Sequence, residues 1–246
     1  MTEYLDTPAG RRIAYRFRDG QGPGIVFLGG FRSDMTGTKA EWLDDRARKQ
    51  GRAFLRFDYS GHGASAGRFE DGCIGDWLAD AHAVIQAVTQ GPQVLVGSSM
   101  GGWIAILLAR AMPDRIAGLV TVAAAPDFTE QGFWAGFDDK QRQALMATGR
   151  VALPSDYGDE PYVISRRLIE DGRDHLVMDR PLTLLCPVRM FQGTADRDVP
   201  VDWALRLLDH ATGPDIRLTL VKDADHRFST PECLQLIGQG VDDVVA

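Results

Sequence analysis

The pentapeptide Gly97-Ser98-Ser99-Met100-Gly101 has the GxSxG spacing that turns a strand sharply into a helix and pushes the central hydroxyl out of the sheet. The flanking glycines tolerate the close packing and strained dihedrals of such a turn. A serine hydroxyl is a poor nucleophile until a base takes its proton, so Ser99 raises the question of which imidazole reaches it. The pattern is weak by itself, because a chain with 27 glycines meets it by chance. Indeed a second match, Gly63-Ala64-Ser65-Ala66-Gly67, lies upstream. The settings differ: QVLVG runs into Ser98-Ser99 and GGWIAILLARAM follows as a helix, whereas RFEDG after Ser65 has no helical pattern. Ser99 is therefore the candidate nucleophile and Ser65 a loop residue.

Five histidines are present. His82 and His210 fall within helical patterns and His175 in a segment without strand alternation, where surface or packing roles suffice. His62, in DYSGHG, follows a strand, but a glycine-rich polar turn accounts for it. His226, in DADHRF, comes directly after the strand pattern IRLTLVK, on a loop at a carboxyl-terminal strand end where a base can meet Ser99. The third group must hold the imidazole in one tautomer and stabilise its charged form, which calls for a carboxylate on another such loop. Asp196 in GTADRDVP, after VRMFQG, satisfies this, with Asp198 as the rival. Asp225 adjoins His226 and reads as a turn residue. The order Ser99, Asp196, His226 is that of one class of hydrolases.

These residues need elements to carry them. Arg11 to Phe17, Gly24 to Leu28, Ala53 to Tyr59, Gln93 to Gly97 and Ile116 to Ala124 read as strands; Thr38 to Gln50, Asp76 to Val88 and Trp103 to Met112 read as the helices between them. Such alternation with short links predicts an α/β fold with a mostly parallel sheet and helices on both faces. From residue 126 to 187 the alternation stops and no strand is expected, so this segment reads as a helical cap inserted in a single domain of 1–246, over the carboxyl ends of the strands. Val188 to Gln192, Trp203 to His210, Ile216 to Val221 and Pro231 to Val245 resume the order.

Composition narrows the function classes. The 246 residues are 44% hydrophobic and 25% charged, an ordinary globular balance. A net charge of -7 offers no surface for gripping phosphate backbones, so no nucleic-acid partner is expected. Cys73, Cys186 and Cys233 are an odd number at spacings that suit neither a disulfide framework nor zinc. No stretch reaches the length of a membrane span, the amino terminus lacks a signal-peptide core, and a cytoplasmic location is expected. The histidines lack ligand spacing and GxxxxGK[ST] is absent, so neither metal nor organic cofactor is expected.

FRSDMTGTKA at 31–40, RFDYSGHGASAG at 56–67, GPQVLVGSSMGGW at 91–103, GTADRDVP and DADHRF together resemble serine hydrolases of the α/β-hydrolase superfamily. Within it they resemble the mitochondrial acyl-protein thioesterase and mycophenolic acid acyl-glucuronide esterase family. The resemblance covers nearly the whole chain and weakens across 126–187. It implies the α/β-hydrolase fold, with Ser99 as nucleophile, Asp196 as acid and His226 as base. It further implies an oxyanion hole made by the backbone amides of Met100 and Phe31, the latter turned inward by Gly29-Gly30. The expected substrate is a small-molecule ester or acyl-thioester, or an S-acylated protein. The family's targeting extension has no counterpart, in keeping with the cytoplasmic expectation.

Gly30, Arg32 and Trp134 are the candidate substrate contacts, Arg32 as partner for a glucuronate carboxylate. Phe128, Phe133, Tyr157 and Tyr162 are among the cap aromatics expected above Ser99, favouring an apolar acyl group. A non-catalytic receptor on the same fold, or carbon–carbon hydrolysis or perhydrolysis on the same three residues, are the alternatives.

Overall fold

The computed structural model describes residues 1–153 and 161–245. The chain runs through β1 (Glu3–Asp6), β2 (Arg12–Arg18), β3 (Gln21–Leu28), α1 (Thr38–Gln50), β4 (Arg52–Phe57), α2 (Ile74–Val88), β5 (Gln93–Ser98), α3 (Met100–Ala111) and β6 (Ile116–Val122). A π-helical turn (Thr129–Trp134), α4 (Asp139–Thr148), β7 (Arg150–Leu153), β8 (Tyr162–Ser165), α5 (Arg166–Asp174) and β9 (Leu182–Thr183) follow. The chain closes with β10 (Val188–Gly193), α6 (Val201–His210), β11 (Ala211–Thr212), β12 (Ile216–Val221) and α7 (Pro231–Asp243).

Eight strands form one sheet in the order β1-β2-β4-β3-β5-β6-β10-β12. The pairs β1·β2 and β2·β4 are antiparallel and the rest parallel. Parallel strands are covered on both faces, which is why Ile25 to Leu28 and Gln93 to Ser98 are buried without alternation. One face packs on α2 and α3 through Trp77, Trp103, Ile104 and Leu108; the other packs on α1 and α7 through Leu43, Ala47, Ile237 and Val241. α1 shows its buried stripe at Ala40, Leu43 and Ala47 and stops at Gly51, whose left-handed φ of 67° lets its N–H reach the Ala47 and Arg48 carbonyls. The order reverses at β3, flanked by β4 and β5, so a crevice opens at the carboxyl ends of β3 and β5.

The segment expected to lack strands contains a hairpin: β7 and β8 pair antiparallel from Arg150↔Ser165 to Leu153↔Tyr162. Strands of four residues leave too little alternation to be read from sequence. Helices make up much of the remainder, and the segment's two ends are tied together. Asp127, buried and at a φ of 59°, accepts the Val177 and Met178 N–H groups on its two carboxylate oxygens, each at 2.9 Å. Among the described residues no helix is long and apolar enough to cross a membrane.

Candidate active site

Ser99 sits between the last residue of β5 and the first of α3 with φ 54° and ψ −119°, a conformation rare outside glycine. Its backbone is fastened on both sides: its N–H donates to the Val122 carbonyl at 2.9 Å, and its carbonyl accepts from Gly102 and Ala125 at 2.9 and 3.2 Å. The turn also explains the flanking glycines. A Cβ on Gly97 would lie 2.3 Å from the Gly101 carbonyl oxygen, and one on Gly101 only 2.1 Å from that of Leu28.

The Ser99 Oγ lies 3.2 Å from Nε2 of His226, and Nδ1 of the same ring lies 2.9 Å from Oδ2 of Asp196. An ionised carboxylate only accepts, so Nδ1 carries the ring hydrogen and Nε2 presents its lone pair to the serine hydroxyl. The Asp196 side chain is fully buried while the imidazole is 20% exposed. Burial alone would push the Asp196 carboxyl up, but hydrogen bonds from His226, the Val199 N–H and Gln192 outweigh it and hold the group below the usual carboxylate range. Asp198 donates its backbone N–H to Oδ1 of Asp196 at 2.9 Å.

The loop bearing His226 is held from the opposite side of the sequence. Lys39 on α1 donates from Nζ to the Arg227 carbonyl at 2.5 Å, and burial lowers this amine to about 8. Asp225 accepts the Phe228 N–H on Oδ1 at 3.1 Å, the turn role expected of it.

Gly30 packs against Ser99: a Cβ there would meet the Ser99 Cβ at 3.4 Å. The Gly30 carbonyl accepts from the Ser33 N–H and Oγ at 3.2 and 2.8 Å, bending the chain through Phe31 and Arg32, the latter at a φ of 56°. Met100 opens α3, where the first amides have no acceptor within the helix. The Phe31 ring lies at the centre of an aromatic group that sequence reasoning did not assemble. Phe69 is 4.7 Å away and Trp77 6.0 Å, and from the cap segment come Phe128 at 5.5 Å, Phe133 at 5.7 Å and Tyr162 at 6.0 Å. Tyr157 lies outside the described residues. Arg32 is over the rings of Phe69 and Tyr162 and donates to the Pro161 carbonyl at 3.3 Å. Trp134 is flanked by the guanidinium groups of Arg142 and Arg173 and meets Phe137 edge-on, contacts made within the segment itself.

The remaining motif residues have structural partners. Ser65 Oγ accepts from the Ala14 N–H at 2.8 Å and donates to the Asp58 carbonyl at 2.6 Å, joining the DYSGHG loop to β2. His62 is buried beside Phe69 and Trp77. His210 Nε2 faces the Val177 and Arg180 carbonyls, and His175 faces Asp171. Among the described residues, ligand atoms of Asp196, Asp198 and His226 lie within 4.8 Å of one another. Both Asp196 oxygens, however, already accept two hydrogen bonds each, from Asp198, Val199, Gln192 and His226, so a cation there would have to displace them.

The family model described as serine aminopeptidase, S33, matches residues 25–159. Palmitoyl-protein thioesterase ABHD10, mitochondrial, of Rattus norvegicus is 34% identical over 243 residues, spanning 98% of this chain and 82% of that protein. A crystal structure from Agrobacterium vitis S4 is similar at a TM-score of 0.96 and 40% identity, over 100% of this chain and 99% of that one. Alpha/beta hydrolase domain-containing protein 10 from mouse is similar at a TM-score of 0.92 and 32% identity, over 100% and 98% of the two chains. With its eight-stranded sheet and these relatives, the chain belongs to the α/β-hydrolase family and is a hydrolase.

Proposed function

We propose that the chain is a serine hydrolase that cleaves acyl-thioesters or carboxylic esters through an acyl-enzyme on Ser99. The observation that carries this reading is the unbroken sequence of hydrogen-bond distances from Ser99 Oγ through His226 to Asp196. In the first half-reaction His226 Nε2 takes the hydroxyl proton as Oγ attacks the carbonyl carbon. The resulting oxyanion is held by the Met100 and Phe31 amides, each donor being worth about 3 to 4 kcal/mol of barrier in sites of this kind. The imidazolium, stabilised by Asp196, then protonates the departing alcohol or thiol. Water repeats the cycle on the acyl-serine and frees the acid.

The acyl group is proposed to be apolar and of medium to long chain. Phe31, adjacent in the chain to Gly30, which packs on Ser99, gathers the rings of Phe128, Phe133 and Tyr162 around it, and relatives of this chain are named palmitoyl-protein thioesterases. Buried methylenes contribute about 0.8 kcal/mol each, so kcat/KM should climb up to about fourfold per methylene until the pocket is filled. Acyl-glucuronides are proposed as a side substrate, with Arg32 meeting the sugar carboxylate. The test is kcat/KM for acetyl through palmitoyl thioesters and for one acyl-glucuronide, repeated with Arg32→Ala. A flat or falling chain-length series contradicts the apolar acyl group, and an unchanged glucuronide rate in the variant removes Arg32.

A further inference from the structure

Gln192, the penultimate residue of β10, is completely buried. Its Nε2 lies 2.9 Å from Oδ2 of Asp196 and 2.9 Å from the Val199 carbonyl oxygen, while its Oε1 is buried with no hydrogen-bond partner among the described residues. The amide orientation follows from the acceptors: turned over, it would bring its carbonyl oxygen to 2.9 Å from both a carboxylate and a carbonyl. An orphaned buried acceptor costs stability that an apolar side chain of the same shape would not incur. Something else must account for an amide here, and its two N–H groups are the only part of it that is used.

Oδ2 of Asp196 is also the oxygen bound by His226 Nδ1. The other oxygen, Oδ1, is held by the Asp198 and Val199 N–H groups, both 2.9 Å away. Among the described residues Gln192 is thus the one side chain other than His226 seen to donate to Oδ2, and through Val199 it also closes the 196–199 loop onto the strand end. We propose that Gln192 is a positioning residue for the hydrolysis. Its amide fixes the direction of Asp196 Oδ2, and so the plane in which the His226 ring faces Ser99. The inference rests on the function proposed above. Without the amide Oδ2 keeps His226 as its donor while Oδ1 stays pinned by the Asp198 and Val199 N–H groups, so the carboxylate can tilt about that anchored oxygen and the imidazole follows. Misplacement of a reacting group by about 1 Å lowers the rate of the chemical step on the order of 100-fold while leaving substrate contacts in place.

The experiment compares Gln192→Met, near-isosteric but without an N–H, and Gln192→Leu, smaller and likewise without an N–H. Each is measured beside wild type and Ser99→Ala for steady-state hydrolysis of p-nitrophenyl octanoate and for Tm. The expected result for both is a kcat lower by about 10- to 100-fold with KM within about twofold, and for Gln192→Met a Tm changed little, because removal of the orphaned Oε1 offsets the loss of the donor to Val199 and Asp196. A kcat within about twofold of wild type in whichever variant is folded overturns the proposal, as does a loss that tracks a lowered Tm and a raised KM. Equal hydrolysis by wild type and Ser99→Ala refutes the serine mechanism itself, whereas an inactive Ser99→Ala beside a fully active Gln192→Met refutes only the role of Gln192.

Discussion

Acid should destabilise this fold through an imidazole that the proposed chemistry does not use. His62 is 3% exposed, within 5.0 to 5.5 Å of the ring centres of Phe69, Trp77 and Tyr59, with Nδ1 3.2 Å from the Ser60 carbonyl oxygen. Burial lowers its pKa from 6.5 to about 4, the Ser60 carbonyl opposing the change only in part. Between those two values the unfolded chain binds a proton that the folded chain refuses. Stability is therefore complete above 6.5 and is lost as pH falls toward about 4, below which no more is lost through this group. The gap is worth about 3 kcal/mol in all, of which about 2.5 kcal/mol has gone by about pH 4.5. Urea unfolding of wild type and His62→Gln, taken from about pH 7.5 to about pH 4.5, reads this directly: wild type should lose about 2.5 kcal/mol more than the variant. Asp58 and Asp127, whose carboxyls burial raises, are present in both proteins and cancel in the difference. Parallel stability curves would refute the argument.

Ser65→Ala should keep its kcat and its labelling by a fluorophosphonate while losing about 1 to 2 kcal/mol of stability, because its two hydrogen bonds to Ala14 and Asp58 are structural; a fall in labelling would reverse the assignment of the two GxSxG matches. Gly101→Ala places a methyl 2.1 Å from the Leu28 carbonyl oxygen and 2.6 Å from that of Gly29. It should cost about 3 kcal/mol or more in urea unfolding, and a variant as stable as wild type would show that the turn is not so tightly closed. EDTA should leave hydrolysis unchanged, since the Asp196 oxygens are engaged by protein donors; inhibition reversed by added zinc would contradict this.

Much of the architecture could be read along the chain because its determinants are local. Doubly covered strands announce themselves as apolar runs, as at Gly24 to Leu28, and the left-handed Gly51 marks the end of α1. Ser99, Asp196 and His226 were legible as a group because each follows a strand of a parallel sheet, and all such strand ends open on one side. What escaped detection depends on contacts between distant residues or on very short elements. β1 pairs with β2 over four residues and β7 with β8 over four, too few for a period to show. The ring group around Phe31 draws from positions 69, 77, 128, 133 and 162, none of which carries a local mark of that meeting. Lys39 reaches Arg227 across 188 residues. Gln192 had a partial signal, a polar residue within the buried strand pattern VRMFQG, which asks for a hydrogen-bond partner at the strand end.

The central claim is that Ser99 is the acyl-carrying nucleophile. The measurement that meets it most directly is mass spectrometry of the intact and digested protein after reaction with a fluorophosphonate, alongside ester turnover by the same preparation. The account predicts a single adduct per chain, located on Ser99, appearing in step with loss of hydrolysis, and neither adduct nor hydrolysis in Ser99→Ala. An adduct on Ser65 or any other residue that silences the enzyme, or hydrolysis undiminished in Ser99→Ala, would contradict it.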